Sequence, residues 1–473
     1  MVFSSTTFLF AFLPVTLALY YLPIFEKGNE LQTKSRNFIL CAASLFFYAW
    51  GEPVYLFLML ISIYFNFNIG LDLDRHKNTN IHKKLILFFA LIFNLGVLSF
   101  FKYYDFAVET INEVFSLEIA TKQLALPIGI SFYTFQIISY IVDVYRGKSS
   151  VQTKLTNFAC YVSLFPQLIA GPIVQYNQIE KQLQNRTVTT EKFASGIVFF
   201  VRGLGKKVIF ANMVGSLYAE LGLTQANEMS VVRAWLMIFC YSLQIYFDFS
   251  GYSDMAIGLG RMFGFNFMLN FNFPYSATSI TDFWSRWHIS LSTWFKNYVY
   301  IPLGGNRKGT ARTIINLFIV WSLTGLWHGA SWNFVAWGLY YATLLVAEKF
   351  IFAKVLDKIP AFLRYIPTMI LVMIGWVFFS SETLGEAVTF IQTMFGLNEN
   401  SLLGTNDLYY LTTNFFPLIV MSLSSVNFFS KILRVKKINL NLSLQFIFYL
   451  VIFAVCIIFL ISETYNPFLY FRF

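Results

Sequence analysis

Residues 3–25, FSSTTFLFAFLPVTLALYYLPIF, run without a charged side chain. A helix that crosses the hydrocarbon core of a bilayer needs about 20 such residues, so this stretch reads as a spanning helix and the chain as a membrane protein. It is longer than the apolar core of a cleaved signal peptide, lacks the basic start, and is followed by no small-residue cleavage site, so it is expected to be retained. Further spans are expected near 37–50 and 54–71, divided by Gly51-Glu52-Pro53, then near 85–101, 124–143 and 442–462.

Composition leads the same way. Of 473 residues, 57% are hydrophobic and 12% charged, against about 25% charged in an average globular chain. Aromatic residues reach 20%, with 56 Phe, enough for interfacial belts as well as helix packing. A formal charge of +10 in a soluble protein would raise the question of nucleic acid. Here the basic residues gather in short connections between apolar runs, as the positive-inside rule produces without any anionic ligand. Cys41, Cys160, Cys240 and Cys456 lie far apart and form no CxxC pattern, so neither a disulfide framework nor a zinc site is suggested.

The connections of the first half alternate in charge. Lys27, Lys34 and Arg36 occupy one, and Arg75, Lys77, Lys83 and Lys84 another; Arg146, Lys148 and Lys154 occupy a third. Between them fall the Gly51 turn and a connection with Asp105, Glu109, Glu113 and Glu118. This places the basic connections in the cytoplasm and the N-terminus outside. A last basic run, Lys431, Arg434, Lys436 and Lys437, precedes the final span, so the C-terminus is expected outside as well. The middle of the chain differs. Pro127, Gly129, Pro166, Gly171, Pro172, Gly251, Pro274, Pro302 and Gly304-Gly305 interrupt its apolar stretches. Irregular backbone is not tolerated against lipid, so these breaks predict short or re-entrant helices packed in protein or lining a wet cavity. No repeat, low-complexity tract or linker marks a second domain, and residues 1–473 read as one membrane-embedded unit.

Of the four histidines, His76 and His82 share a basic loop and read as solvated. His288 and His328 lie instead in TDFWSRWHISLSTWF and SLTGLWHGASWNFVAWG, each directly after a Trp. An ionisable group at membrane depth is costly and usually faces a cavity, which makes function the default hypothesis. The plainer reading is a neutral histidine bonded to a nearby carbonyl or hydroxyl. Imidazole suits acyl transfer, because it can take a proton from an acceptor hydroxyl or thiol and return it to a leaving group. A metal is less well supported, with no third ligand at local spacing and no HExxH. Asp248, Asp254 and Asp282 also sit in apolar surroundings, with Arg202, Arg261 and Arg286 as candidate partners; ion pairing and a cavity role both remain open. Gly258, Gly260 and Gly264 form GxGxxxG, better explained by helix packing than by dinucleotide binding.

These motifs, with LPIGISFYTFQIISYIVDVYRG, FPQLIAGPIVQY, YFDFSGYSDMAIGLGRMFGF and the terminal NPFLYFRF, give the chain an end-to-end resemblance to a known family. It resembles the membrane-bound O-acyltransferases, in particular the alginate and peptidoglycan O-acetyltransferase branch. The resemblance implies an all-α polytopic protein, a ring of roughly eleven transmembrane helices with short re-entrant helices, thin at the centre. It places the family's key histidine at His328 and the second at His288, with Trp327, Asn333 and Asp282 in support. It further implies acetyl-CoA as cytoplasmic donor, no bound cofactor or metal, and an extracytoplasmic esterase-like partner of the SGNH type in a bacterial inner membrane. Within the family the rival is D-alanyl transfer to teichoic acid from a carrier-protein thioester. Outside it stand a polysaccharide exporter and a scaffold with silent histidines.

Overall fold

The computed structural model describes residues 1–22, 29–224, 226, 228–356, 358–428, 442–462 and 469. Among them the regular structure is helical throughout, with no strand. The helices gather into two compact units: Met1–Phe200 with Tyr252–Leu269, and Val201–Gly251 with Asn270–Phe473. The expected basic run at 431–437, Lys27 and most of the terminal NPFLYFRF lie outside the described residues.

In the first unit, a π-helical turn at Phe8–Phe12 leads into α1 (Leu13–Tyr20), followed by α2 (Asn29–Gly51), α3 (Tyr55–Arg75) and α4 (Asn80–Phe115). Gly51-Glu52-Pro53 divides α2 from α3, as its turn chemistry predicts. Asn66 on α3 and Asn94 on α4 exchange carboxamide hydrogen bonds of 3.0 and 2.7 Å, polar glue between two apolar helices. Pro127 and Gly129 end the irregular approach to α5 (Ile130–Tyr145), with Gly129 left-handed at φ 76°. A Cβ at Gly70 would strike the Tyr140 hydroxyl, so α3 and α5 pack against each other through glycine. Pro166, Gly171 and Pro172 cut the chain into the short, buried α6 (Leu155–Ser163) and α7 (Phe165–Leu168), then α8 (Tyr176–Gln184).

Helices α9 (Thr190–Gly205) and α11 (Val231–Met262) contain the division between the units; between them lie a π turn, Lys206–Ala211, and α10 (Asn212–Leu221). Gly251 was expected to interrupt its helix, but α11 runs straight through it. Its missing side chain serves packing instead, since a Cβ there would meet the Gly203 carbonyl at 2.8 Å. The GxGxxxG reading divides similarly. Gly258 packs on the Gly196 carbonyl, whereas Gly264, at φ 87°, follows the end of α11 in the left-handed conformation that glycine adopts without strain.

The second unit continues with α12 (Ile280–Arg286), α13 (Ile289–Phe295) and a π turn at Lys296–Tyr300, then α14 (Thr310–His328) and α15 (Trp332–Ala347). After a one-turn α16 (Ala353–Leu356) come α17 (Ala361–Ser380), α18 (Leu384–Met394), α19 (Asp407–Ser425) and α20, Leu442–Ser462. Helices α14 and α15 touch backbone to backbone. A Cβ on Gly325 would collide with the Phe334 carbonyl, and one on Gly338 with the Trp321 carbonyl. Among the described residues, five helices have the length and apolarity to cross a membrane: Tyr55–Arg75, Asn80–Phe115, Trp332–Phe352, Ala361–Ser380 and Ser443–Ser462. The first expected span is a shorter apolar helix, Phe8–Tyr20. The chain is an all-α integral membrane protein.

Candidate active site

His288 stands at a break between two short helices. Ser279 caps α12 by accepting from the Asp282 N–H at 3.0 Å, the helix ends at Arg286, and His288 then turns left-handed, φ 44° and ψ 53°, to start α13. That conformation costs a non-glycine residue about 1–2 kcal/mol, so neighbouring bonds must hold it. Asn270 supplies them: its carbonyl accepts from the Ile289 N–H at 3.0 Å, and its side-chain Oδ1 accepts from the Ser290 N–H at 3.0 Å and the Ser290 hydroxyl at 2.9 Å.

The same Oδ1 lies 3.2 Å from His288 Nδ1. A backbone N–H can only donate, so the atom facing Ser290 is the carboxamide oxygen. The imidazole nitrogen beside that oxygen must therefore carry the proton. This tautomer leaves the lone pair on Nε2, the arrangement required of a general base.

His328 is the last residue of α14, and Gly329 breaks the helix in an extended conformation. Rings hold it: Trp327, Trp337 and Phe379 have centroids at 5.1, 5.0 and 5.2 Å, all edge-to-face. The two imidazoles are buried with centroids 6.5 Å apart, and Trp327 also stands 5.9 Å from His288. Forty residues of sequence separation are thus closed into one site. Phe249, from α11, covers His288 at 4.8 Å. A cavity of about 170 Å³ opens beside His288, lined among others by Trp284, Ser292, Lys296, Tyr300 and Thr324. His328 is not on its wall.

The supporting residues divide. Trp327 touches both imidazoles. Asn333 is buried and donates to the Ser381 carbonyl at 2.8 Å, tying the start of α15 to the end of α17. Asp282 is half-exposed; it pairs with Arg286 at 2.7 Å and accepts from the Thr278 N–H at 3.2 Å. Arg286 is one of the three candidate arginine partners. For Asp248 the partner is none of the three arginines: Lys207, from the π turn after α9, reaches its carboxylate at 2.6 Å, and the Leu469 N–H donates to the other oxygen at 2.9 Å. Asn270 and Phe379 went unnoticed in the sequence, because a carboxamide or a phenyl in an aromatic-rich chain carries no signal of its own. His76 and His82 are exposed, and the four cysteines are free and buried. No group of three His, Cys, Asp or Glu side chains gathers among the described residues.

A helical chain with apolar spans, two imidazoles packed together inside it and a cavity reaching one of them, defines a membrane protein with a buried polar site in its core. The family model of the membrane-bound O-acyltransferases matches residues 43–384. This chain belongs to that family and is an O-acyltransferase. Its relatives include the "Probable alginate O-acetylase AlgI" of Pseudomonas aeruginosa, 42% identical over 88% of this chain and 82% of that protein. The protein of that name from Pseudomonas putida is 40% identical over the full length of both. The peptidoglycan O-acetyltransferase of Helicobacter pylori is 37% identical over 85% of this chain and 81% of the relative.

Proposed function

We propose that this chain carries an acetyl group from a cytoplasmic thioester, acetyl-CoA, to the outer face of a bacterial inner membrane for O-acetylation of an extracytoplasmic polysaccharide of the alginate or peptidoglycan kind. The observation that carries this reading is the meeting of His288 and His328, with the first on a cavity wall. An imidazole takes the proton of an acceptor hydroxyl while that oxygen attacks the thioester carbonyl. The C–S bond breaks, the proton passes to the departing thiolate, and a new acetyl ester is released. The pair divides two tasks, accepting the proton and orienting the carbonyl, and the Nε2 lone pair of His288 suits the first.

Charge supports the direction. From Lys296, on the cavity wall, to Arg312 the chain has Lys296, Arg307, Lys308 and Arg312 and no carboxylate, a bias that favours the cytoplasm for that end. From 381 to 407 it has Glu382, Glu386, Glu399 and Asp407 and no Lys or Arg. A second cavity, of about 700 Å³, lies in that region, lined among others by Ser380, Ser381, Thr224, Thr389 and Glu386. Phe379, which packs on His328, directly precedes Ser380. The relatives' names supply the polysaccharide, and an esterase-like partner of the SGNH type would receive the acetyl group outside, the side that the charge alternation favours for both termini.

The test uses the purified full chain with labelled acetyl-CoA. Wild type is expected to release CoA or pass label to an added hydroxyl acceptor. His328→Ala and His288→Ala are each expected to be slower by about 10²–10⁴-fold, the usual contribution of general acid–base catalysis. Equal turnover in wild type and both variants would refute the reading.

A further inference from the structure

A cluster of cations in the first unit is left unexplained by acyl transfer. The carbonyls at the end of α11 are closed off by side chains: Met262 O accepts from the Tyr21 hydroxyl, Phe263 O from the Tyr20 hydroxyl at 2.7 Å and Arg186 Nε at 3.0 Å, and Gly264 O from Lys192 Nζ. A helix C-terminus carries about half a negative charge, so cations belong there. Capping, however, accounts for less charge than is present. Arg186 and Arg36 both lie over the ring of Tyr20, their guanidinium carbons 5.7 and 5.1 Å from its centroid. Arg261 joins them through Ser195, to which it donates at 3.1 Å and whose hydroxyl donates to the Lys192 carbonyl at 3.2 Å.

Four cations therefore surround one helix end, and among the described residues neither Arg36, Arg186 nor Lys192 forms an ion pair with a carboxylate. Arg186 is more than nine-tenths buried, yet its Nη2 has no hydrogen-bond partner, and neither has Nε of Arg36. Leaving a buried charged donor unsatisfied is costly, and a bound anion is one way to satisfy it. The Lys192 ammonium is pushed below the usual lysine range by burial first and then by Arg186 and Arg261, the mark of crowded positive charge. Arg36, Lys192 and Arg261 are half-exposed and form the rim over the buried Arg186.

We infer that Arg36, Arg186, Lys192 and Arg261 bind a phosphate-bearing anion, supplied either by the phosphodiester headgroup of an anionic lipid or by free phosphate. The guanidinium fork matches phosphate oxygens two at a time, and one such anion would satisfy both open donors while offsetting the surplus charge. Arg36 lies in the second turn of α2, among the basic residues whose alternation favours the cytoplasm, so a lipid at this site belongs to the inner leaflet.

The full-length chain in phosphatidylcholine nanodiscs provides the test, with phosphatidylglycerol added as a lipid component in one arm and inorganic phosphate in solution in the other. The readouts are the thermal midpoint and the phosphatidylglycerol retained in native mass spectrometry. Arg186→Gln removes the floor. Because that variant could fail to fold, Arg36→Gln combined with Lys192→Gln removes the rim and keeps the buried residue. Each lost charge is expected to weaken binding about fivefold. A wild-type response to phosphatidylglycerol alone assigns the lipid, and an equal response to inorganic phosphate assigns the free anion; both must shrink in the rim variant. Lys77→Gln with Lys84→Gln, both exposed, in the turn before α4 and on its first turns, must leave the response intact. The inference is overturned if neither probe affects wild type, if the rim variant responds as wild type does, or if the loop variant loses as much as the rim variant.

Discussion

The His288 imidazole is fixed by polar atoms, with Asn270 Oδ1 on its Nδ1 and the Asn270 carbonyl on the next residue's N–H, whereas His328 is surrounded by Trp327, Trp337 and Phe379. Hydrogen bonds are directional, and the set around His288 selects a tautomer as well as a position. Ring packing restrains where His328 sits through the shape of its surroundings. The two residues look alike in the sequence, each following a Trp in an aromatic stretch, but they should fail in different ways when their surroundings are changed.

The largest separation should come from Asn270→Leu. Leucine fills similar space but removes the acceptor shared by His288 and Ser290, so the imidazole can rotate and choose the other tautomer. Turnover of labelled acetyl-CoA is expected to fall about 10²-fold, the loss associated with a misplaced catalytic group, with KM little changed. Asn270→Asp keeps the acceptor and should recover much of the loss. If the Leu variant turned over normally, or if Asp failed as badly as Leu, Asn270 would not be positioning the ring. A smaller effect is expected on the other side. Phe379→Leu preserves an apolar neighbour for His328 but loosens its box, and a decrease of about tenfold or less should follow, without the rescue pattern seen at Asn270. A loss as large as that of Asn270→Leu would erase the contrast between the two shells.

Much of this architecture was legible because it follows from solvent and turn chemistry. Apolar runs divided by Gly51-Glu52-Pro53 and by Pro127 and Gly129 become helices with those boundaries. An imidazole in an apolar segment attracts notice for a physical reason, the cost of its burial, and both such residues arrived in one site. Gly251 misled because a glycine that permits close packing reads the same as one that ends a helix. Lys207 carries no sequence signal as the partner of Asp248, because the two residues lie 41 positions apart and meet only in the folded chain. Asn270 left no trace at all: its role exists only through contacts with residues 18 to 20 positions away, most of them made by its side chain.

The smallest effect on the histidines should come from a polar cluster of the same unit that resembles the His288 shell in construction but faces different work. Asp407, at the start of α19, accepts from the Ser230 hydroxyl, from Arg233 Nε at 2.8 Å and from the Gly404 N–H at 2.6 Å. Burial alone would raise its pKa, but these donors together outweigh burial and hold the carboxyl below the ordinary aspartate value. A carboxyl depressed in the folded state stabilises it fully above the unfolded pKa, about 3.9, and the contribution disappears as pH falls through the lower folded value. Wild type should therefore lose thermal stability more steeply below about pH 4 than Asp407→Asn, which should start from a midpoint a few degrees lower at neutral pH. Turnover at neutral pH and moderate temperature should match wild type, because the carboxylate joins α19 to the start of α11 and touches neither imidazole. An acid-stability curve of the Asn variant parallel to that of wild type would show that Asp407 does not titrate with folding. A fall in turnover comparable to Asn270→Leu would mean that polar clusters in this unit act on the histidines as one network, and the distinct character of the His288 shell would be lost.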